Sequence, residues 1–309
     1  MIIGIIGLGK MGGNISIRLL KNKYTCYVFD KNRTSITNIE EQGGRGVKSL
    51  KGLVLSLSNP RTIWLMLPAG ETTEKIILKI IKYMEKGDTI LDGSNGYFKK
   101  DIKRSEKLVI KGINYIDVGV SGGIWGLKRG YCMMIGGNKK IFEKKKNIFC
   151  ILSSEKNKGY MYCGKVGSGH FVKMIHNGIE YGMMQSYAEG FDIMKNINKK
   201  HVLYKHRYKL NLYDISEIWR RGSVIESWLL DLISISLAKD VNLKEFSGKV
   251  NDSGEVRWIV KTALEESIPL EVLTTSLYVR FKSRKNNRYG DKLLSAMRKQ
   301  FGGHVENEP

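Results

Sequence analysis

Short apolar runs recur through the first half of the chain, at Ile2–Ile6, Thr25–Phe29, Thr62–Leu67, Thr89–Leu91, Tyr115–Val120 and Cys132–Ile135. Their length, and the β-branched and aromatic residues in them, predict strands. Most are separated by stretches with apolar positions at helical spacing, among them Met11–Leu20 and Thr72–Met84. Strand–helix alternation predicts βαβ units, and with them a mainly parallel sheet with right-handed crossovers. After about residue 165 the pattern changes: "GKVGSGH" (164–170) is a Gly-rich joint, and beyond it strand signals nearly vanish. Helical periods follow over 170–196, 213–236 and 255–268, are interrupted by Pro269, and resume over 271–283. "KNINKKHVLYKHRYKLN" (195–211) reads as a basic, irregular, solvated loop, and no internal repeat is present. The pattern predicts a doubly wound α/β domain over residues 1–165 and an all-α domain over residues 166–309.

The first of the long helical periods is filled against the usual rule. In "HFVKMIHNGIEYGMM" (170–184), Lys173, His176, Asn177, Glu180 and Tyr181 fall at i, i+3, i+4, i+7 and i+8. That spacing belongs to a buried apolar stripe, yet groups that titrate or hydrogen-bond occupy it. A solvated face would pair lysine with glutamate at i,i+4. Here the partner of Lys173 at that spacing is Asn177, and that of Glu180 is His176. Val172, Ile175, Ile179 and Met183 make a separate apolar stripe beside the row, and Gly178 and Gly182 let another element come close. Placed directly after the joint between two domains, where ligands commonly bind, the row reads as a functional face.

"IIGIIGLGKMGGN", at the start of the chain, contains Gly7-x-Gly9-x-x-Gly12 after a strand and at the opening of a helix. In that context the motif is the Rossmann-type dinucleotide turn. Gly7 permits the tight turn, Gly9 lets the backbone approach a pyrophosphate, and Gly12 lets helix and strand pack closely. Asp30 ends the second strand, where an acid suits the 2′-hydroxyl of the adenosine ribose and so favours NAD. Lys31 and Arg33, flanking Asn32, suit the 2′-phosphate of NADP, so the leaning to NAD is slight and both cofactors stay open. "LMLPAG" (65–70), "LDGSNG" (91–96) and "DVGVSGG" (117–123) each follow a strand at the carboxyl edge of the sheet, where ligands sit in open α/β folds. Asn95 offers a donor and an acceptor there, and Ser121-Gly122-Gly123 lets a polyol approach backbone N–H groups.

Composition narrows the function classes. With 309 residues, 42% apolar and 27% charged, the chain is long enough for one large or two ordinary globular domains. The net charge of +22 suits anionic small molecules and matches a chain rich in Lys, Ile and Asn. No basic helix repeats and no RNA-binding aromatic motif is present, so a nucleic-acid-binding protein on a dehydrogenase fold is the remote alternative. Cys26, Cys132, Cys150 and Cys163 include no C-x-x-C pair, which is expected of reduced thiols in a cytoplasmic protein. No signal peptide and no membrane-spanning run is expected.

Together the segments "GLGKMG", "DGSN", "VSGG", "GSGHFVKMIHNGIEYGMMQ", "WRRGSVIESWLLDL", "SGEVRW", "RFKSR" and the terminal "RKQFGGH" resemble the 6-phosphogluconate dehydrogenases, within the β-hydroxyacid dehydrogenase superfamily. The resemblance covers nearly the whole chain, and its length matches the short form, which lacks the duplicated helical half of the longer enzymes. It implies a Rossmann-type dinucleotide-binding domain followed by an all-helical substrate and dimerisation domain with a C-terminal tail. It also implies Lys173 as general base and Glu180 as general acid. Asn95, Ser121, Gly122, Gly123, His176, Asn177 and Tyr181 match substrate-binding positions, and Arg280 matches an arginine that holds the substrate phosphate. Arg298 and His304 match tail residues that complete a neighbouring subunit's site, so a homodimer or homotetramer is implied. Leu8, Gly9, Lys10, Met11, Gly12 and Gly13, then Leu67, Pro68 and Ala69, and again Asn95, match contacts of NAD or NADP; no metal is implied. Two departures stand out. Near "DSGEVRW" the longer enzymes carry a lysine and a threonine that bind phosphate, where this chain offers Ser253 and Glu255; and Glu226 stands where an arginine is expected.

The implied reaction is the oxidative decarboxylation of 6-phosphogluconate to ribulose 5-phosphate and CO2, a step of the pentose phosphate pathway. A base takes the 3-hydroxyl proton as hydride leaves C3, the β-keto acid loses CO2, and an acid protonates C1 of the enediol. A lysine serves as that base only if its pKa falls from about 10.4 toward neutrality, and a glutamic acid serves as the acid only if burial raises its own. Seven residues of helix set Lys173 and Glu180 roughly 10 Å apart along the axis, a span that one substrate can bridge. The alternative is a β-hydroxyacid dehydrogenase acting on a small acid such as 3-hydroxyisobutyrate, which needs neither Glu180, Arg280 nor the "RKQFGGH" tail.

Overall fold

The computed structural model describes residues 1–155 and 157–285, together with Tyr289 and Lys292. Its strands are β1 (Ile2–Ile6), β2 (Thr25–Phe29), β3 (Arg45–Gly46), β4 (Thr62–Leu65), β5 (Thr89–Asp92), β6 (Asn114–Ser121), β7 (Cys132–Gly137) and β8 (Tyr160–Gly164). The helices of the α/β region are α1 (Lys10–Lys21), α2 (Arg33–Glu40), α3 (Leu50–Leu55), α4 (Glu71–Ile80), α5 (Phe98–Val109), α6 (Gly126–Arg129) and α7 (Lys139–Leu152). Then come α8 (Ser168–Asn196), α9 (Leu212–Trp219), α10 (Trp228–Lys239), α11 (Glu255–Glu265) and α12 (Glu271–Ser283). The chain divides into two compact units, the first Met1–His176 and the second from Asn177 onward. The joint read at residue 165 lies ahead of this division because the first two turns of α8 pack on the sheet, with Gly169 and Lys173 against Gly119.

One eight-stranded sheet, in the order β3-β2-β1-β4-β5-β6-β7-β8, runs through the first unit. Strands β1 to β6 are parallel, β7 is antiparallel to β6, and β8 is parallel to β7. Strand order reverses about β1 and β4, which places a ligand-binding crevice at their carboxyl ends. The central strands are buried on both faces, and side-chain alternation sorts their residues into two apolar layers. Trp64 joins Ile3, Ile5, Ile15, Leu19 and Phe149 on one face; Ile63 and Leu65 join Ile6, Leu53, Ile77, Ile80 and Leu108 on the other.

Two strands escape the sequence pattern: β3 is only Arg45–Gly46, and β8, "YMYCG", is a half-exposed edge strand without a β-branched residue. The expected helix over 213–236 is two helices. The apolar period runs on, but Gly222 adopts φ +82° and the Ser227 side chain caps α10 by accepting from the Leu230 N–H. Within the second unit α9 packs on α10 and α11 on α12. No helix among the described residues is long and apolar enough to cross a membrane.

A buried polar network ties β5, β6 and α5 to the start of α8. Arg104 on α5 donates through Nη1 to Asp92 Oδ2 (3.0 Å), Asp101 Oδ1 (2.9 Å) and the Tyr115 hydroxyl (2.7 Å), and through Nη2 to Glu74 Oε2 (3.0 Å). Asp101 Oδ2 in turn meets His170 Nδ1 at 2.7 Å. Burial alone would lower the His170 pKa, but the Asp101 carboxylate overrides it and lifts it from 6.5 to about 9. A folded-state value above the unfolded one stabilises the fold fully below about pH 6.5, and that contribution is lost as pH rises through about 9. The urea midpoint should therefore fall between pH 6.5 and pH 9.5, roughly the span of the two values. In His170→Asn it should be lower at pH 6.5 and flatter across the range. A wild-type midpoint independent of pH would contradict the assignment.

Candidate active site

At the β1–α1 turn, Gly7 sits at φ +92°, and a Cβ there would stand 2.3 Å from the Met66 carbonyl oxygen. A Cβ at Gly12 would lie 1.9 Å from the Gly7 carbonyl oxygen, so turn and helix close only without side chains. Above Gly9, by contrast, a Cβ would meet nothing within 4 Å. That open space faces the first turn of α1, from Lys10 and Met11 to Gly13, where helix N–H groups attract phosphate charge. Asp30 follows β2; its Oδ2 accepts from the Leu8 N–H at 2.7 Å and its Oδ1 from the Asn32 N–H at 2.8 Å. The acid is thus fastened to the Gly-rich turn, and its remaining lone pairs suit ribose hydroxyls. Asn32 caps α2, Lys31 is exposed, and Arg33 pairs with Glu40 at 3.1 Å. Leu67, Pro68 and Ala69 form the turn after β4, where the Pro68 carbonyl accepts from the Thr73 hydroxyl. These residues fit a dinucleotide.

The next turn holds Asn95, exposed beside the buried Ser94, whose N–H donates to Asp92 Oδ1 at 3.0 Å. The Arg104 network therefore anchors the strand end from which Asn95 projects. Along β6, alternate residues Asp117, Gly119 and Ser121 share one face, and α8 docks on all three. Asp117 Oδ1 accepts from the Gly167 N–H (2.8 Å) and Oδ2 from the His170 N–H (2.9 Å), so a strand carboxylate caps the helix. Burial raises the Asp117 pKa despite these bonds and the nearby His170. Gly119 leaves room for Lys173: a Cβ would lie 2.4 Å from the lysine Cβ and 2.8 Å from the Gly169 carbonyl oxygen. Ser121 Oγ lies 3.3 Å from His176 Nε2, and Lys173 Nζ lies 3.5 Å from His176 Nδ1. Where Lys173 Nζ donates to Nδ1, the ring carries its proton on Nε2, which then donates to Ser121. Gly122 and Gly123 follow at the end of β6.

In the second unit, Asn177 Nδ2 donates to Glu255 Oε1 at 2.9 Å. The Tyr181 hydroxyl lies 3.1 Å from Ser253 Oγ and accepts from the Ser253 N–H at 2.9 Å. The Arg280 guanidinium stacks 3.3 Å from the centre of the Tyr181 ring, and its hydrogen bonds go to the Asn251 carbonyl and the Met184 sulfur. Arg257 and Arg284, in contrast, both pair with Asp252, whose carboxyl they hold at about 2. Arg280 is the guanidinium of this group that makes no ion pair among the described residues. Glu180 is half-buried on α8, and Glu226 accepts from the Gly222 N–H. Arg298 and His304 lie outside the described residues.

The polar row and the apolar stripe of α8 exchange their usual places. Lys173, Asn177 and Tyr181 are 7%, 8% and 4% exposed, whereas Ile179 is 53% and Met183 39% exposed. Sequence reasoning missed Asp101, Arg104, Asp117 and His170, although the two-residue spacing of Asp117, Gly119 and Ser121 was a usable signal. Asp101, Asp117 and His170 lie close enough to suggest a metal, but N–H donors and Arg104 already occupy their carboxylates, and the cluster reads as an ion-pair network.

The model of the NAD binding domain of 6-phosphogluconate dehydrogenase matches residues 2–164, and that of the family's C-terminal domain matches 169–203 and 200–307. The chain belongs to the 6-phosphogluconate dehydrogenase family. Like the short form of that family, it aligns end to end with relatives of its own length. YqeC of Bacillus subtilis (strain 168) is 36% identical over 305 residues, with 99% of each chain covered. The NAD(+)-dependent, decarboxylating 6-phosphogluconate dehydrogenase of Haloferax volcanii is 32% identical, with 98% of each covered. The solved 6-phosphogluconate dehydrogenase of Plasmodium falciparum superposes with a TM-score of 0.82 at 28% identity, covering all of this chain and 67% of that one.

Contact of Gly119 with Lys173 gives a direct test. Gly119→Ala should displace the lysine and lower kcat on the order of 100-fold, the scale for a misplacement of about 1 Å. NADH affinity, read by fluorescence titration, should not change, because the Gly7–Gly13 turn lies on another strand. Wild-type kcat in the variant would show that the close approach is not needed.

Proposed function

We propose that the chain catalyses the oxidative decarboxylation of 6-phospho-D-gluconate to D-ribulose 5-phosphate and CO2, with NAD+ as the preferred oxidant. One observation carries the reading. α8 bears a buried lysine hydrogen-bonded to His176 and, two turns on, a tyrosine under the guanidinium of Arg280. A base for a hydroxyl and an unpaired cation for a phosphate are the two groups that a phosphorylated 3-hydroxy acid requires; a small acid such as 3-hydroxyisobutyrate has no use for the second.

In this reading Lys173 takes the proton of the 3-hydroxyl while hydride leaves C3, and NAD+, when bound, accepts that hydride. Loss of CO2 from the β-keto acid leaves an enediol, and Glu180 delivers a proton to its C1. Ser121 and His176 hold the hydroxyl and carboxylate end, Asn95 on the turn after β5 serves the same end, and Tyr181 with Arg280 takes the phosphate. Asp30, fastened to the Gly-rich turn, supports NAD+, as does the engagement of Arg33 by Glu40, which draws that cation from a 2′-phosphate. The exposed stripe of Val172, Ile179 and Met183 supports a homo-oligomer in which a second copy covers it and supplies Arg298 and His304 from its tail. Four free thiols are in keeping with a reducing, cytoplasmic setting.

Lys173→Met should lower kcat at least ~1,000-fold, within the usual range for loss of a general base, and leave NAD+ affinity within about twofold. Near-normal turnover would remove Lys173 from the mechanism. Steady-state kinetics with both nucleotides should give a kcat/KM for NAD+ at least ~10-fold above that for NADP+, the scale of one net hydrogen bond. CO2 release should follow 6-phosphogluconate and not 3-hydroxyisobutyrate. The opposite substrate preference would replace the proposed reaction with its rival.

A further inference from the structure

Glu255 opens α11 and is 1% exposed, yet only half of its carboxylate is used. Oε1 accepts from Asn177 Nδ2 at 2.9 Å; Oε2 is buried and has no hydrogen-bond partner among the described residues. Arg257 and Arg284 pair with Asp252 and not, among the described residues, with Glu255. The bond turns the amide nitrogen of Asn177 toward Glu255. A buried acceptor left without a donor is costly, and such a group in a native fold calls for an occupant. Glu255 also stands in the stretch where the sequence departs from the phosphate-binding pattern of the longer enzymes, and its charge repels a phosphate.

We propose that Glu255 is a specificity-determining residue, whose Oε2 accepts a hydrogen bond from a hydroxyl of the substrate's polyol chain beside Asn177. The inference rests on the proposed sugar-acid reaction and assigns its middle segment. The acid fills the subsite with a hydroxyl donor and turns the phosphate toward Tyr181 and Arg280, which sets the direction in which the chain lies along α8.

The test begins with the wild-type enzyme. Deoxy analogues of 6-phosphogluconate lacking O4 or O5 should bind at least ~10-fold more weakly than the parent, at one of the two positions, because the buried acceptor is then left unpaired. Glu255→Gln should raise the KM for 6-phosphogluconate by a similar factor and erase that discrimination. The KM for NAD+ and the thermal midpoint without substrate should stay as in wild type. Inorganic phosphate should compete more strongly against the sugar acid in the variant. Equal binding of both deoxy analogues by the wild type would overturn the inference, even if the variant fails to fold. Binding is read from the substrate-induced shift in thermal midpoint, so a wild type that binds the sugar acid without turning it over would refute the reaction and leave the Glu255 assignment standing.

Discussion

The carboxylate of Asp117 caps α8 from outside the helix. Helix N-termini leave N–H groups without partners, and a buried end must find acceptors. Asp117 supplies them from the middle of β6, so the helix begins at one place on one strand, in one rotational setting. The first turns of the helix, through His176, inherit that setting. Gly119 admits the Lys173 side chain, and Ser121 meets His176, because each lies two residues further along the same face of β6. The Arg104 hub extends the constraint to β5, so the turn bearing Asn95 and the start of α8 are held by one set of ion pairs.

Charge is distributed by the same economy of partners. In the first unit the buried acids are matched by Arg104, His170 and backbone N–H groups, which leaves little for an ion to bind. In the second unit Asp252 absorbs two arginines and Arg280 is held by a ring, a carbonyl and a sulfur. A guanidinium held without a carboxylate keeps its charge for an anion, and a carboxylate held without a cation keeps its oxygen for a donor. Arg280 and Glu255 are complementary in that sense: under the proposed reaction the first is left for a phosphate and the second for a hydroxyl.

The large excess of positive charge across the chain plays little part in this. The basic loop around Lys199 to Lys209 is exposed at nearly every position, whereas Lys173, Asn177, Tyr181 and Glu255 are buried and each meets a named partner. Net charge raises the local concentration of anions, and the paired and unpaired side chains decide which anion is held.

What the sequence by itself determined is whatever short-range periodicity can encode. The parallel strands, the glycine turn over β1 and α1, the Asp30 position and the polar row of α8 were all legible because each repeats or ends within a few residues. Tertiary structure decided the rest. Asp117 and His170 are 53 residues apart, and Asn177 and Glu255 are 78 apart, so no local pattern announces that one caps and the other orients. The two-residue β3 and the edge strand β8 pair only because a neighbour is already in place, and the 213–236 period breaks because Ser227 caps a new helix. The sequence pointed to the polar row of α8 as the functional face, but not to the partners that let it be buried. An apolar stripe normally wins the interior, but here Ser121 meets His176, and Ser253 and Glu255 at the start of α11 meet Tyr181 and Asn177, and burial follows the partners.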